Sequence, residues 1–244
     1  MSETNYTLSS YDPIEIEVTH VDAPDEFIDK MVEITLNDYN APENPSEEWL
    51  SENLEVSSYD ELWWQVHDEF QEYFNEDSDQ MIEEEILDVL VGRLEQTFTD
   101  EEIQDALEKL NLDDDEIIEA YSLEAVTDSE EELQQELETA KIYYAHDVLR
   151  MNAALDAYID HEGLVLLDET EAINLLGISD ENKGAALLDT AKLCGGYGSI
   201  IKAASRQLAM ESLIFTSDIS VEVLKDDAAM EYLLGTDEFV DFED

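Results

Sequence analysis

The sequence contains few basic residues and a single cysteine, and both shortages exclude classes of protein. Ten lysines and arginines stand against 66 aspartates and glutamates, which gives a net charge of −56 at pH 7. Because binding to phosphates depends on lysine and arginine, this balance argues against direct binding to DNA, RNA or an anionic membrane. The one cysteine, Cys194, excludes an internal disulfide and fits a reducing cytosol.

Segments for export or membrane insertion are missing as well. Residues 1–13 contain neither a basic stretch nor an apolar stretch, so no secretory signal is predicted. No apolar run approaches the roughly 20 residues that a transmembrane helix needs. We therefore expect a soluble, cytoplasmic protein.

The sequence also lacks motifs for catalysis, cofactor binding or metal binding. Its four histidines form no HExxH motif, and the GGYG at 195–198 lacks the third glycine of a dinucleotide fingerprint. Acids alternate from Asp77, but Gln80 occupies the position where a calcium loop requires glycine. We therefore predict a protein that is not an enzyme and has no cofactor and no bound metal.

The N-terminal part of the sequence predicts one strand and one helix. In residues 13–21, Ile16 and Val18 alternate with polar side chains, which is typical of a half-buried strand. Helical spacing of apolar residues follows at 25–39, and then a linker with two of the four prolines at 40–46. Capped helices cover most of the remainder. The sequence therefore predicts a mainly α-helical fold with a small β element near the N-terminus.

Helix starts in the middle of the chain are marked by serine or threonine followed three residues later by glutamate, the spacing of a capping box. Three such pairs occur: Ser58 with Glu61, Thr99 with Glu102, and Ser129 with Glu132. Gly163 suits the left-handed end of the last of these helices. The predicted helices are 46–56, 58–74, 78–98, 99–110, 113–123 and 130–161.

The helix predicted at 58–74 contains the densest group of aromatic residues in the chain. Two adjacent residues, Trp63 and Trp64, cannot both face the interior from one helix, so one of them is expected at a boundary or an interface. We predict that this pair supplies an apolar anchor for a partner.

The C-terminal part is less acidic and leaves two alternatives open. Its apolar run at 164–167 is either a strand paired with residues 14–20 or a buried connector. The predicted helices 180–194 and 199–215 are rich in alanine and locally basic, so they either pack against the rest of the fold or form a homodimer face. A strand at 221–224 and a helix at 228–234 follow.

Composition divides the chain into three predicted segments. A strand–helix unit with its linker is predicted at 1–45, an acidic helical body at 46–162, and a less charged helical subdomain at 163–244. Residues 1–140 hold 45 acidic and three basic side chains, whereas residues 141–244 hold 21 and seven. The acidity is therefore regional.

Acidic residues are densest between Asp77 and Glu138, where 24 acidic side chains accompany two basic ones. A regular apolar spacing through the same stretch predicts ordered helices rather than a disordered tail. Exposed carboxylates on those helices are the predicted partner-binding residues: Glu83, Glu84, Asp88, Glu95, Glu101, Asp105, Glu108, Asp113, Asp114, Asp115, Glu119, Glu132 and Glu136.

Several of these carboxylates have the spacing of neighbours on a helix. Glu101 and Asp105, or Glu132 and Glu136, are one turn apart, which places them about 6 Å from each other. That distance is close to the spacing of successive phosphates along one strand of DNA. Our main hypothesis is that this face stands in for a nucleic-acid backbone and binds a basic, nucleic-acid-binding protein.

Two alternative origins of the acidity stay open. In a halophile, acidic side chains hold water and cations in strong brine, but an origin of this kind predicts an even spread of charge. An acidic chaperone or adaptor would use the same face to hold a basic protein, with Trp63 and Trp64 as apolar contacts.

In its charge, its helical build and its lack of catalytic motifs, the sequence resembles the DNA-mimic proteins of phages and mobile elements. These include antirestriction proteins, anti-CRISPR proteins and phage inhibitors of host RNA polymerase. They share no motif, so no residue roles carry over. The resemblance implies an inhibitor that occupies the DNA-binding channel of a host restriction, CRISPR, nuclease or RNA polymerase enzyme. For a phage protein, it also implies the host cytoplasm.

Overall fold

A computed structural model describes residues 6–110, 112–123, 129–164, 172 and 197–235. This part of the chain is mainly helical with one small parallel sheet, as the sequence predicts. Its elements in chain order are β1 (Glu15–Val21), α1 (Asp25–Asp38), α2 (Glu47–Asn53), α3 (Tyr59–Gly92), α4 (Asp100–Lys109), α5 (Asp114–Ala120), α6 (Glu130–Glu162), α7 (Tyr197–Thr216), β2 (Asp218–Leu224) and α8 (Asp226–Gly235).

The chain divides into two compact units. The first unit comprises Met1–Ile14 and Ile86–Ser217, and the second comprises Glu15–Glu85 and Asp218–Asp244. Both sides of the proline-containing linker at 40–46 lie in the second unit. The three segments predicted from composition therefore describe how charge is distributed along the chain, and their value as separate folding domains stays a prediction.

The sheet of the second unit joins two strands that are far apart in the sequence. β1 and β2 run parallel, with Glu15 opposite Asp218 and Val21 opposite Leu224. Ile16 and Val18 are buried and the glutamates between them are exposed, so the predicted period-two strand is confirmed. The strand predicted at 221–224 is confirmed and begins at Asp218. The sequence did not predict that β2 pairs with β1, and residues 165–167 of the run 164–167 that was considered as a partner of β1 lie outside the described residues.

One hydrophobic core holds the helices of the second unit together. α1 contributes Phe27, Ile28 and Val32 at helical spacing, which confirms the predicted amphipathic helix. Each such fully buried apolar side chain contributes about 1.5–3 kcal/mol relative to an exposed one. The other buried members come from β1 and the residues after it, α2, the connection between α2 and α3, α3 itself and α8: Val21, Ala23, Leu50, Val56, Leu62, Val66, Phe74, Ala229 and Leu233.

The helix starts of the second unit follow the predicted caps with one difference. The Ser46 hydroxyl accepts a hydrogen bond from the Trp49 amide, and the Ser58 hydroxyl accepts one from the Glu61 amide at 3.1 Å. The Glu61 carboxylate, however, accepts from the Ser57 amide at 2.6 Å and from the Ser57 hydroxyl. The reciprocal half of the predicted capping box at Ser58 is therefore wrong. These bonds to Ser57 lower the pKa of Glu61.

The two helices predicted at 58–74 and 78–98 are one continuous helix, α3, which ends at Gly92. No proline or glycine interrupts residues 75–79, and buried Ser78 donates its hydroxyl to the Phe74 carbonyl at 2.9 Å within the helix. The predicted extension to Phe98 is also wrong. The chain beyond Gly92 is extended instead, with Leu94 bridged antiparallel to Leu8.

The first unit is built around α6, against which α4, α5 and α7 pack. Small buried side chains along α6, such as Ala145 and Ala154, let neighbouring helices approach closely. The caps predicted for α6 are confirmed at both ends. The Ser129 hydroxyl accepts from the Glu132 amide, and Gly163 has φ of 64° and donates its amide to the Ile159 carbonyl.

α7 confirms the helix predicted at 199–215 and begins two residues earlier, at Tyr197. It packs against α6, and both of its basic residues reach the same carboxylate there. Arg206 donates two hydrogen bonds of 2.8 Å to Asp156, and Lys202 Nζ lies 3.8 Å from it. The packing of α7 within the fold agrees with one of the two alternatives for this segment, and the homodimer face stays a prediction. The helix predicted at 180–194 lies outside the described residues.

The C-terminal helix α8 confirms the helix predicted at 228–234. No helix in the described ranges combines the length and the apolar character needed to cross a membrane.

One ion pair joins the residue after β1 to the residue after β2, and it predicts that the stability of the protein depends on pH. Lys225 Nζ lies 2.5 Å from Asp22, and this hydrogen bond holds the pKa of Asp22 below its ordinary value of 3.8. A lowered folded-state pKa adds stability above the unfolded pKa, and that stability is lost as the pH falls through the folded pKa. Asp22→Asn is therefore expected to destabilise the protein more at neutral pH than at about pH 3, because part of the contribution of the ion pair is already lost below pH 3.8. Urea unfolding at both values, with Asp218→Asn as the control, measures the difference.

Candidate partner-binding surface

The predicted carboxylates lie at the surface. Twelve of the thirteen have described side chains, and all twelve are exposed. The side chain of the thirteenth, Glu119, lies outside the described residues. Exposure alone does not make a site, so what matters is which of these carboxylates the fold brings together.

α4 presents a carboxylate face opposite its packing face. The predicted capping box at its start is confirmed in both directions, because Thr99 accepts from the Glu102 amide and Glu102 accepts from the Thr99 amide. These bonds from Thr99 lower the pKa of Glu102. Glu101, Asp105 and Glu108 are exposed on this helix, so their predicted one-turn spacing is realised.

α5 and the first part of α6 pack together over a small core of their own. The buried residues are Ile117, Leu123, Leu137 and Ala140. At the start of α5, the Asp113 carboxylate accepts a hydrogen bond from the Asp115 amide at 2.9 Å. The aspartates there complement the positive end of the helix dipole.

Three of the predicted acidic segments therefore belong to one packed group of helices, because α4 and α5 both pack on α6. We call the predicted partner-binding carboxylates of these three segments whose exposure the structure describes the acidic three-helix surface. It consists of Glu101, Asp105, Glu108, Asp113, Asp114, Asp115, Glu132 and Glu136.

The remaining predicted carboxylates lie elsewhere. Glu83 and Glu84 belong to the part of α3 in the second unit, and Asp88 belongs to the last turns of the same helix. Glu95 lies on the extended segment after α3, where its carboxylate accepts a hydrogen bond of 3.1 Å from the Thr7 hydroxyl. The prediction placed Glu95 on a helix, and that placement is wrong.

One carboxylate of the acidic three-helix surface, Asp114, forms an ion pair with Lys141. Lys141 Nζ lies 2.6 Å from Asp114 and 3.7 Å from Glu138, and its side chain is mostly buried. The hydrogen bond to Asp114 raises the pKa of Lys141. Lys141 therefore stays charged over the physiological range and fastens α5 to α6.

The three arginines of the chain are engaged away from this surface. Arg93 donates to the backbone carbonyls of Asp12 at 2.5 Å and Pro13 at 3.4 Å. Arg150 donates to the Val91 carbonyl at 3.5 Å, and Arg206 binds Asp156. The arginines thus fasten elements of the first unit, and the acidic three-helix surface keeps most of its negative charge.

The two predicted anchor residues differ in their surroundings. Trp63 is half-buried against the core of the second unit and donates its indole N–H to Asp29 at 2.8 Å. Trp64 is 58% exposed, and its ring centroid lies 5.0 Å from that of Trp63 in an edge-on arrangement. The expectation that one of the pair faces outward is met by Trp64. Whether it anchors a partner stays a prediction.

A second group of exposed apolar side chains was not singled out from the sequence. Ile142, Tyr143 and Tyr144 lie on α6, and Tyr143 is 61% exposed. Nearby, burial and the negative charge of Asp147 raise the pKa of Tyr121. The sequence signal for this group was the three consecutive bulky residues at 142–144, which cannot all face inward on a helix.

Within the described ranges, no group of three or more histidine, cysteine, aspartate or glutamate side chains is placed to hold a metal ion. Comparisons with protein-family models, with curated proteins and with solved structures give no match.

Proposed function

We propose that the protein binds and inhibits a basic, nucleic-acid-binding protein by presenting its acidic three-helix surface in place of a phosphate backbone. In this proposal it is a DNA mimic, and its target is a host enzyme of the restriction, CRISPR, nuclease or RNA polymerase type. The target's lysines and arginines contact carboxylates where they otherwise contact phosphates.

The observation that carries the proposal is the pairing of exposed carboxylates on packed helices with arginines that are engaged elsewhere. Glu101 and Asp105 on α4, like Glu132 and Glu136 on α6, sit one helical turn apart. Packing of both helices fixes these positions before any partner arrives, so little conformational entropy is lost on binding. A surface that only needed to be solvated would gain from lysines at the same spacing, and on α4 only Lys109, four residues after Asp105, has it.

Electrostatics supplies the driving force in this proposal. Each like-charge pair on a helix costs a few tenths of a kcal/mol, and a basic partner removes that repulsion. The partner also releases the anions that it holds, and the acidic surface releases its condensed cations. Binding is therefore expected to weaken steeply with salt, as protein–DNA binding does.

One observation favours a second candidate, an acidic chaperone or adaptor for a basic protein. Trp64 and Tyr143 are exposed aromatic side chains of the kind that anchor protein interfaces. In such a complex, apolar contact adds to charge, and the spacing of carboxylates matters less.

Competition by DNA tests the proposal and separates the two candidates. The full chain is immobilised and challenged with purified DNA-dependent enzymes and with small basic proteins that do not bind nucleic acid. Duplex DNA is then added at low and at raised salt. The proposal predicts binding of a DNA-dependent enzyme that duplex DNA displaces, together with loss of that enzyme's activity on DNA. Retention of basic proteins regardless of DNA, without inhibition of any enzyme, contradicts it and supports the adaptor.

A further inference from the structure

The sheet of the second unit has an edge that the described residues leave open. β2 is hydrogen-bonded along one side to β1, and the sheet of the described residues has no third strand. A strand edge exposes a row of unpaired backbone N–H and C=O groups, which makes it a template for another extended segment. β2 is seven residues long and contains no proline, so its edge is continuous.

One face of this sheet is apolar and only half covered. Ile16 and Val18 on β1 are buried. Their partners Ile219 and Val221 on β2 share this face, and so do Val223 and its half-buried partner His20, because paired residues of parallel strands point the same way. Val221 and Val223 are 47% and 44% exposed. The apolar face therefore extends from buried side chains on β1 to exposed side chains on β2, at the open edge of the sheet.

The opposite face carries carboxylates near the same edge. Asp218 and Glu222 of β2 are exposed at this edge, and Glu15 and Glu17 are exposed on the same face of the neighbouring strand β1. Lys225, the nearest lysine in the sequence, is bonded to Asp22. A strand laid along β2 would meet valines on one face and carboxylates on the other.

We propose that β2 is a docking edge for an extended segment of a partner protein in which apolar residues alternate with lysine or arginine. Backbone hydrogen bonds to the free edge of β2 hold the segment, as in other cases of strand addition. Its apolar side chains cover Val221 and Val223, and its basic side chains pair with Asp218 and Glu222. A second copy of this acidic chain is a poor occupant, because it presents carboxylates to carboxylates.

This docking edge does not depend on the acidic three-helix surface, since β2 belongs to the other unit. Failure of the DNA-competition experiment would leave the edge untouched, and failure at the edge would leave the DNA-competition result standing.

Binding of three synthetic peptides with the same amino-acid composition to the full chain tests whether β2 is a docking edge. The probe is a fluorescently labelled synthetic peptide of alternating lysine and valine at near-physiological salt. A scrambled peptide with the same residues controls for attraction to the net charge. A third peptide carries N-methyl groups on alternate amides, which block one hydrogen-bonding edge and keep every side chain. The alternating peptide is expected to bind roughly tenfold more tightly than either control, since the scrambled peptide loses the ordered cross-strand pairs and the N-methylated peptide loses the hydrogen-bond ladder.

Variants of the protein locate the contact. Val221→Thr combined with Val223→Thr is expected to weaken the alternating peptide roughly tenfold and the scrambled peptide little, with Ile34→Thr on α1 as the matched exposed control. Amide hydrogen exchange of residues 218–224 is then followed with and without peptide. New protection of the outward amides of β2 supports the proposal.

Three results would overturn it. The first is equal binding of the alternating and scrambled peptides. The second is bound peptide that leaves the β2 amides unprotected. The third is full protection of these outward amides in the free protein, which would mean that a second copy or another part of the chain already holds the edge.

Discussion

Replacing seven carboxylates of the acidic three-helix surface by amides is expected to weaken binding of the DNA-dependent target about a hundredfold. Exposed charge pairs contribute about 0.2–1 kcal/mol each, so seven of them sum to about 3 kcal/mol, which is about a hundredfold in Kd. Asp114 is left in place because it holds Lys141. The substitutions are Glu101→Gln, Asp105→Asn, Glu108→Gln, Asp113→Asn, Asp115→Asn, Glu132→Gln and Glu136→Gln.

A matched variant separates this surface from the net charge of the whole chain. Seven exposed glutamates of the second unit are changed to glutamine, so that the net charge changes equally: Glu26, Glu33, Glu43, Glu52, Glu69, Glu72 and Glu76. Titration calorimetry over a series of salt concentrations should give a flatter salt dependence for the first variant and a small change for the second. Equal weakening by the two variants would show that net charge, rather than placement, drives binding.

The largest expected effect on stability comes from the core of the second unit. Ile28 on α1 is fully buried among the side chains of that core. Ile28→Ala is expected to lower the free energy of unfolding by about 2–5 kcal/mol, because it removes buried apolar atoms and leaves a cavity. All three tryptophans of the chain, Trp49, Trp63 and Trp64, lie in this unit. Urea unfolding followed by tryptophan fluorescence therefore reports its stability directly.

Ile34→Ala provides the control for this experiment on the same helix. Ile34 is exposed on α1, so its truncation removes few buried contacts and should change stability by less than about 1 kcal/mol. A similar destabilisation by the two variants would contradict the assignment of Ile28 to the core.

Features that depend on neighbouring residues could be predicted from the sequence. The capping box of Thr99 and Glu102 and the left-handed end at Gly163 both involve atoms within a few positions of each other. The amphipathic spacing of Phe27, Ile28 and Val32 is equally local. Local rules therefore located most helix starts to within one or two residues.

Features that depend on distant parts of the chain could not be predicted in this way. The helix predicted to end at Phe98 stops at Gly92, because the segment that follows pairs with Leu8 near the N-terminus. The partner of β1 lies about 200 residues away, and no local pattern identifies it. The Glu61 carboxylate accepts hydrogen bonds from Ser57 rather than Ser58, and sequence spacing does not distinguish between these two adjacent serines.

The candidate site was partly accessible to sequence reasoning. Helical spacing predicted that Glu101, Asp105 and Glu108 face solvent, and they do. Convergence of α4 and α5 on α6 required the fold, because like charges give no indication of which helices pack together. The engagement of Arg93 and Arg150 by backbone carbonyls was also hidden, since an acidic sequence suggests carboxylate partners first.

The parallel pairing of β1 with β2 makes the order of synthesis matter. β1 leaves the ribosome before β2, which follows about 200 residues later. At about 5–20 residues per second, this is a wait of roughly 10–40 s. During that wait Ile16 and Val18 have no partner strand, and the core lacks Ala229 and Leu233. The first unit can be completed while the second is still open, so the segment that starts at Asp218 closes a unit whose other segment, Glu15–Glu85, was made before most of the first unit.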